Sequence, residues 1–138
     1  MPAKDVFHQA VRHALEKDGW IITQDPLLIR YELGNLYIDL GAEKVIAAEQ
    51  EGKKIALEIK SFLQNSAIAE FYTALGQFIS YRTHLREQYP EHILYFAVPL
   101  DTYTSFFATQ LARSMISSQR LKLIVYKPQQ EIIDQWIN

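Results

Sequence analysis

The sequence contains no cysteine, only five glycines and five prolines, and no long apolar run. Without cysteine, a disulfide framework and thiolate zinc sites are excluded, and a reducing cytoplasm is the expected compartment. No stretch approaches the roughly 20 apolar residues of a membrane span. The first residues, MPAKDVFHQAVRHAL, carry charge throughout and lack the apolar block of a secretory signal. We therefore predict a soluble cytoplasmic protein with no membrane association.

An excess of positive charge is also missing. The chain has 14 Lys and Arg against 16 Asp and Glu, a formal net charge of -2. This balance argues against a protein that coats nucleic acid by charge alone, although it leaves a local basic patch open. With 138 residues, of which 49% are hydrophobic, the chain is long enough for one core. A single domain over residues 1–138 is predicted.

The apolar pattern predicts the element order αβββαβαβα, a mixed α/β fold. Helical spacing over 4–18 is followed by what looks like a strand edge at WIIT and, after a turn at Gly34-Asn35, by the strand LYIDL. A β-hairpin then joins 43–50 to 54–60. The remaining predicted elements are a long helix from Ser66 to about Gln88, a buried strand at 93–98, a helix at about 102–116, a strand at 121–126 and a last helix at 129–137.

The segment ALEIKSF places two opposite charges inside an apparently buried strand. Residues two apart on a strand share a face, so Glu58 and Lys60 lie on one side and the isoleucines and Leu57 on the other. If LYIDL is the neighbouring strand of the same meander, Asp39 comes close to them. Two carboxylates and one ammonium would then converge at the end of the sheet.

Such a group suits metal-dependent chemistry. Asp39 and Glu58 offer the carboxylate oxygens that Mg²⁺, or Mn²⁺, takes together with phosphate and water. Lys60 is able to orient the attacking water or neutralise charge on the phosphate, so the three groups suit phosphodiester hydrolysis. The alternative is an ordinary ion pair on a partly exposed strand, worth about 0.2–1 kcal/mol. The spacing alone does not decide between the two.

In element order and motif position, residues 4 to 98 resemble the core of the PD-(D/E)XK nuclease superfamily. The resemblance implies an α/β fold with a restriction-endonuclease-like core, a mixed central sheet flanked by helices. It implies catalytic roles for Asp39, Glu58 and Lys60, although Ile38 stands where a proline is common. The sequence LGQFISY matches the Q-x-x-x-Y motif of RecB-type members and implies that Gln77 and Tyr81 position DNA.

Two of these assignments have plain alternatives. Four-residue spacing puts Gln77 and Tyr81 on one helix face with Glu70, opposite the aliphatic stripe, where a solvated surface is equally expected. Glu16 occupies the place where many members add an acid on the metal side. Arg12, four residues earlier, offers Glu16 an ordinary surface ion pair instead.

Over its whole length the chain resembles the cyanobacterial XisH proteins. The resemblance rests on MPAKDVFHQAVRHALEKDGWIITQDPL, YIDLGAEKVIAAEQEGKKIALEIKSF and EFYTALGQFISYR. That family is named as a controlling factor for excision of a DNA element that interrupts fdxN in heterocysts. The resemblance implies a role in DNA rearrangement, with DNA and a XisI-type protein as partners. By analogy with nucleases of this fold, a homodimer is expected.

Three functions are compatible with these observations. The first is a Mg²⁺-dependent endonuclease that uses Asp39, Glu58 and Lys60. The second is a DNA-binding control module that keeps a nuclease fold without turnover. The third is a partner of XisI that does not touch DNA. The intact acidic site favours the first over the second, whereas the net charge of -2 weakly favours the third.

Overall fold

The computed structural model describes residues 3–33, 36–40, 45–62 and 66–138. Within these ranges, four α-helices, one 3₁₀ turn and eight strands alternate along the chain. In order they are α1 (Ala3–Lys17), β1 (Ile21–Gln24), β2 (Ile29–Leu33), β3 (Leu36–Leu40), β4 (Val45–Gln50), β5 (Lys53–Ile59), α2 (Ala67–Gln88), β6 (His92–Pro99), α3 (Leu100–Thr104), the 3₁₀ turn (Phe106–Ala108), α4 (Gln110–Ser118), β7 (Leu123–Lys127) and β8 (Ile132–Ile137).

The predicted mixed α/β fold is confirmed, and its centre is a six-stranded sheet of order β1-β4-β5-β6-β7-β8. The two central pairings, β5 with β6 and β6 with β7, are parallel, and each requires a helical crossover. The outer pairings are antiparallel, including the predicted β4–β5 hairpin. Of the helices in the described ranges, none is long and apolar enough to cross a bilayer.

The last predicted helix, 129–137, is wrong. The chain turns after Lys127, with Glu131 at φ 56°, and returns as strand β8, which pairs antiparallel with β7. Trp136 of β8 packs against Trp20 and Tyr95, with ring centroids 5.5 and 5.2 Å apart. Pairing with β7 supplies the backbone of β8 with partners, whereas a short helix here would leave its first four N–H and last four C=O groups without intrahelical partners.

The helix predicted at about 102–116 is divided into α3, the 3₁₀ turn and α4. Ser105 leaves the helical region at ψ -84°, and Thr109 adopts the extended conformation at ψ 154°. The Thr109 side chain then accepts a hydrogen bond from the Ala112 N–H at 3.3 Å, the usual N-cap of a new helix. The turn predicted at Gly34-Asn35 lies outside the described residues.

Helices cover the sheet on both faces. Helix α1 packs on the face formed by Ile55, Leu57 and Ile59, whereas α2 packs on the face formed by Ala56 and its neighbours. The N–H of Leu27 donates to the carbonyl of Val45 at 2.7 Å, and Ile29 of β2 belongs to the α2 side of the core. The two-stranded β2–β3 sheet therefore begins beside the start of β4.

The α2 side of the core is rich in aromatic rings. Phe96 stacks between Phe78 and Phe62, with centroid distances of 5.7 and 6.0 Å. Phe107 contacts the edges of Phe62 and Phe71 at 5.4 and 5.5 Å. Ring pairs at these distances add stabilisation beyond the buried area. This aromatic cluster surrounds the end of β5, where the predicted charged residues lie.

Asp25 connects the segment after β1 to helix α1. Its Oδ2 accepts from Nη1 of Arg12 and lies 2.8 Å from Nε2 of His8. We expect Asp25→Asn to lower the free energy of unfolding by about 1–2 kcal/mol, because charge-assisted hydrogen bonds at a largely buried acceptor are removed. Urea denaturation measures the change. Asp134→Asn is the control, since exposed Asp134 is 3.8 Å from Lys127 and should contribute less than about 0.5 kcal/mol. Equal changes in the free energy of unfolding in the two variants would contradict a stabilising role for the hydrogen bonds of Asp25.

Candidate functional site

Glu58 is a fully buried carboxylate near the end of β5. Its register partners are Val45 on β4 and Phe96 on β6, and all three residues have 0% exposure. Because side chains alternate along a strand, Glu58 shares the face of Ala56, which packs against α2. The predicted direction of Glu58 is confirmed, but the partly exposed strand of the ion-pair alternative is wrong.

Lys60 follows directly after β5 and is only 9% exposed. Its backbone N–H still reaches the carbonyl of Ala97 on β6 at 3.5 Å, so the chain stays extended at this point. The alternation places Lys60 on the side of Glu58, with Cα atoms about 7 Å apart. Removing a carboxylate and an ammonium from water costs several kcal/mol each before compensation. An acid and a base thus lie two residues apart on one side of a buried segment.

Helix α2 contributes further polar groups to this layer. Glu70 is 9% and Tyr81 7% exposed, and Tyr81 belongs to the same core cluster as Ala56 and Phe96. The prediction that Glu70, Gln77 and Tyr81 lie opposite the buried stripe is therefore wrong for Glu70 and Tyr81. Gln77 is half-buried, and its Oε1 has no hydrogen-bond partner among the described residues.

Asp39 lies on β3, which pairs with β2 in the separate two-stranded sheet, and its register partner is Arg30. The prediction that LYIDL is the strand beside β5 is wrong, because β4 and β6 occupy both edges of β5. The Asp39 side chain lies outside the described part of the structure. Leu40 and Val45 are five residues apart, which limits their Cα separation to about 18 Å. Since Val45 is opposite Glu58, the backbone keeps β3 in the neighbourhood of the pair.

Glu16 is not brought to this group. It is exposed, and α1 packs on the other face of the sheet, against Ile55, Leu57 and Ile59. Glu58 faces α2 instead. The described geometry thus gives no support for Glu16 as a ligand beside Glu58.

Asp101 is a polar residue that the sequence reasoning missed. A cavity of about 640 Å³ adjoins the end of β5, and its lining includes Ser61, Phe62, Asp101 and Lys127. Ser61 and Phe62 directly follow Lys60. Because β5, β6 and β7 are parallel, their carboxyl ends meet at one edge, where α/β sheets commonly bind ligands. An aspartate two residues after the end of the buried strand β6 was the available signal.

The metal-binding capacity of the described residues is limited. No group of three or more His, Asp or Glu side chains suited to a metal occurs in the part of the chain that the structure describes. The Glu58 carboxylate is nevertheless the kind of hard oxygen donor that Mg²⁺ takes, usually with one further carboxylate and several waters. Asp39 stays the predicted source of that second carboxylate.

The fold and the site define a mixed α/β protein with a buried acid and base at the carboxyl edge of its parallel strands. A family profile described as "XisH protein" matches residues 1–134. The chain therefore belongs to the XisH family. No functionally curated protein matches the sequence.

Two solved structures support this membership. An XisH family protein from Nostoc punctiforme PCC 73102 is 55% identical, with a TM-score of 0.88, and the match covers 97% of this chain and 100% of that chain. An fdxN element excision controlling factor protein from Anabaena variabilis is 52% identical, with a TM-score of 0.87, and the match covers 97% and 99% of the two chains. The chain is thus similar over nearly its whole length to cyanobacterial proteins of this family.

Proposed function

We propose that this protein acts on DNA in programmed excision, as a Mg²⁺-dependent phosphodiesterase of the PD-(D/E)XK nuclease type. The observation that carries the proposal is the complete burial of Glu58 beside Lys60, at the edge where parallel strands commonly present catalytic groups. A surface ion pair does not require this placement. The printed name of the Anabaena variabilis relative, an excision controlling factor, supplies the biological context.

The roles of the residues follow from their chemistry. Glu58 and Asp39 would hold Mg²⁺ or Mn²⁺ through their carboxylates. When bound, such an ion polarises a phosphoryl oxygen and lowers the pKa of water. Lys60 would orient the attacking water or neutralise charge that develops on the phosphate. Its burial strengthens these electrostatic interactions, because they act in a lower effective dielectric than bulk water.

Gln77 and Tyr81 would contribute in different ways. Gln77 is half-buried, and its amide oxygen is itself buried and accepts no hydrogen bond from the described residues, so Gln77 would contact DNA through its amide nitrogen. Tyr81 is within the core and would act as a positioning residue that holds α2 against the sheet. These separate roles differ from the sequence-based prediction, in which both residues lie on one face of the helix and position DNA together.

The second candidate is a non-catalytic control module that binds DNA or a XisI-type protein. The specific observation in its favour is that the part of the chain described by the structure contains no group of three or more His, Asp or Glu side chains suited to a metal. Under this proposal the buried charges specify the fold, and partner binding depends on the outer surface. A homodimer suits the first candidate, because two copies of one site would act on the two DNA strands.

We expect metal-dependent cleavage by the native protein to fall by about a hundredfold or more in Asp39→Asn and in Lys60→Ala, since each removes a group at the reacting phosphate. The measurement uses Mg²⁺ or Mn²⁺ with linear, supercoiled and branched DNA. Exposed Asp134→Asn is the matched control and should cut like the native protein.

Thermal unfolding gives a readout that is independent of turnover. A metal at one hundred times its Kd should stabilise the native protein by about 2.7 kcal/mol, and Asp39→Asn should lose this gain. Unchanged cleavage in Asp39→Asn would refute the assigned site. DNA binding without cleavage by the native protein, with no metal stabilisation, would support the control module instead.

A further inference from the structure

A second cavity, of about 760 Å³, lies away from Glu58. It is enclosed by the carboxyl end of α2, the turn after α4, and the beginnings of β6 and β7. Its lining includes His92, Ile93 and Leu94, the first residues of β6, whereas Glu58 is aligned with Phe96 further along that strand. The two sites are therefore at different ends of the parallel strands.

Four basic side chains converge on this cavity from separate segments. Arg82 and Arg86 come from α2, Arg120 from the turn after α4, and Lys122 from the start of β7. The described lining contains no Asp or Glu, although the whole chain has a net charge of -2. Within the described ranges, none of these four side chains forms an ion pair. Positive charge is thus concentrated in the lining of this cavity.

The electrostatics of Arg82 reflect this crowding. Burial lowers the pKa of its guanidinium, and the charge of Arg86 lowers it further. Both causes disfavour the charged form, so an anion in the cavity would relieve the repulsion between the two arginines. The arrangement therefore favours a negatively charged ligand over a neutral one.

Arg82 is also held in place for binding. Its Nη1 donates to the carbonyl of Gln119 at 2.8 Å, and its guanidinium lies over the Phe78 ring, 5.5 Å from the centroid. A guanidinium has five donors, so the hydrogen bond to Gln119 leaves others for a ligand. Because the side chain is already ordered, less conformational entropy is lost when an oxyanion binds.

We propose that this cavity binds a phosphorylated ligand that also carries an apolar or flat group, with a nucleotide unit as the smallest example. Arginine matches phosphate geometry through paired N–H donors, and two arginines from one helix present such donors together. The rest of the lining combines polar residues, such as Ser117 and Gln119, with the apolar side chains of Leu85, Leu94, Ile116 and Leu121. The volume exceeds that of a phosphate alone and lies within the usual range for small-molecule sites.

The experiment compares binding of inorganic phosphate, adenosine 5′-monophosphate and a short single-stranded DNA by isothermal titration calorimetry. We expect the nucleotide to bind more tightly than phosphate. The double variant R86Q/K122Q should weaken binding by about a hundredfold, about tenfold for each charged hydrogen-bond donor that is removed. Arg82 is kept because it packs on Phe78 and Gln119.

The double variant R113Q/K53Q is the charge-matched control, because Arg113 and Lys53 are exposed and neither lines this cavity. It should change the affinity less than about twofold, as expected for distant screened charges. If the nucleotide displaces the DNA from the cavity, the ligand is a free nucleotide. If DNA binding resists displacement by the nucleotide, the ligand is a nucleic-acid strand. In both cases binding must be weaker in R86Q/K122Q. Binding that is equal in the two variants, or no binding of any probe, would overturn the proposal.

Discussion

Phe96→Ala should lower the free energy of unfolding by about 3–5 kcal/mol, which is a large share of the stability of an ordinary domain. Phe96 has 0% exposure and stacks on Phe78 and Phe62. Its removal leaves a cavity between the central parallel strand and α2, and the two stacked rings lose their partner. Urea denaturation monitored by circular dichroism measures the change.

Ile93→Ala is the matched control for this prediction. Ile93 is on the same strand, but it is 48% exposed and lies outside the aromatic cluster. Its truncation should cost less than about 1 kcal/mol, since mainly strand propensity changes. Similar destabilisation in the two variants would show that the aromatic cluster contributes no special stabilisation.

The strongly periodic elements could be predicted from the sequence. Helix α2 begins at Ala67 and ends at Gln88, as the apolar spacing and Pro90 indicate. Strand β6, His92–Pro99, contains the predicted run 93–98. Both elements are buried against many partners, so their apolar patterns are set by the same packing that stabilises them.

The last element could not be predicted because its pattern is ambiguous. Ile132, Ile133, Trp136 and Ile137 repeat at a spacing that also fits one face of a helix. Pairing with β7 decides the outcome, and that pairing depends on tertiary contacts. The position of β3 was missed for a similar reason. Sequence proximity favours neighbouring strands, whereas β4 and β6 take both edges of β5.

The candidate site was predicted in part. Alternation along β5 correctly places Glu58 on the face of Ala56, because the side-chain period of a strand is fixed by its backbone. The degree of burial could not be predicted, since it depends on the aromatic cluster that folds over this face from α2 and from residues 106–107. Tyr81 was expected on a polar face for the same reason, although it belongs to the core.

The double variant Glu58→Leu/Lys60→Met should be as stable as the native protein or more stable by about 1–4 kcal/mol, and it should have no metal-dependent cleavage. Both side chains are buried in an apolar layer, with 0% and 9% exposure. Apolar side chains of similar size avoid the desolvation cost of the two charges. By contrast, Glu58→Leu alone should cost about 3–5 kcal/mol, because it leaves the Lys60 ammonium buried with less compensation.

Urea denaturation of the native protein, both single variants and the double variant measures the coupling energy between the two positions. Cleavage assays on the same four proteins measure function separately. High stability of the double variant combined with loss of a cleavage activity that the native protein has would mean that the charges in ALEIKSF are retained for chemistry at a cost to folding. A double variant less stable than either single variant would contradict this, because the charges would then be required by the fold itself. The stability and activity of one variant therefore distinguish a catalytic site from a structural ion pair.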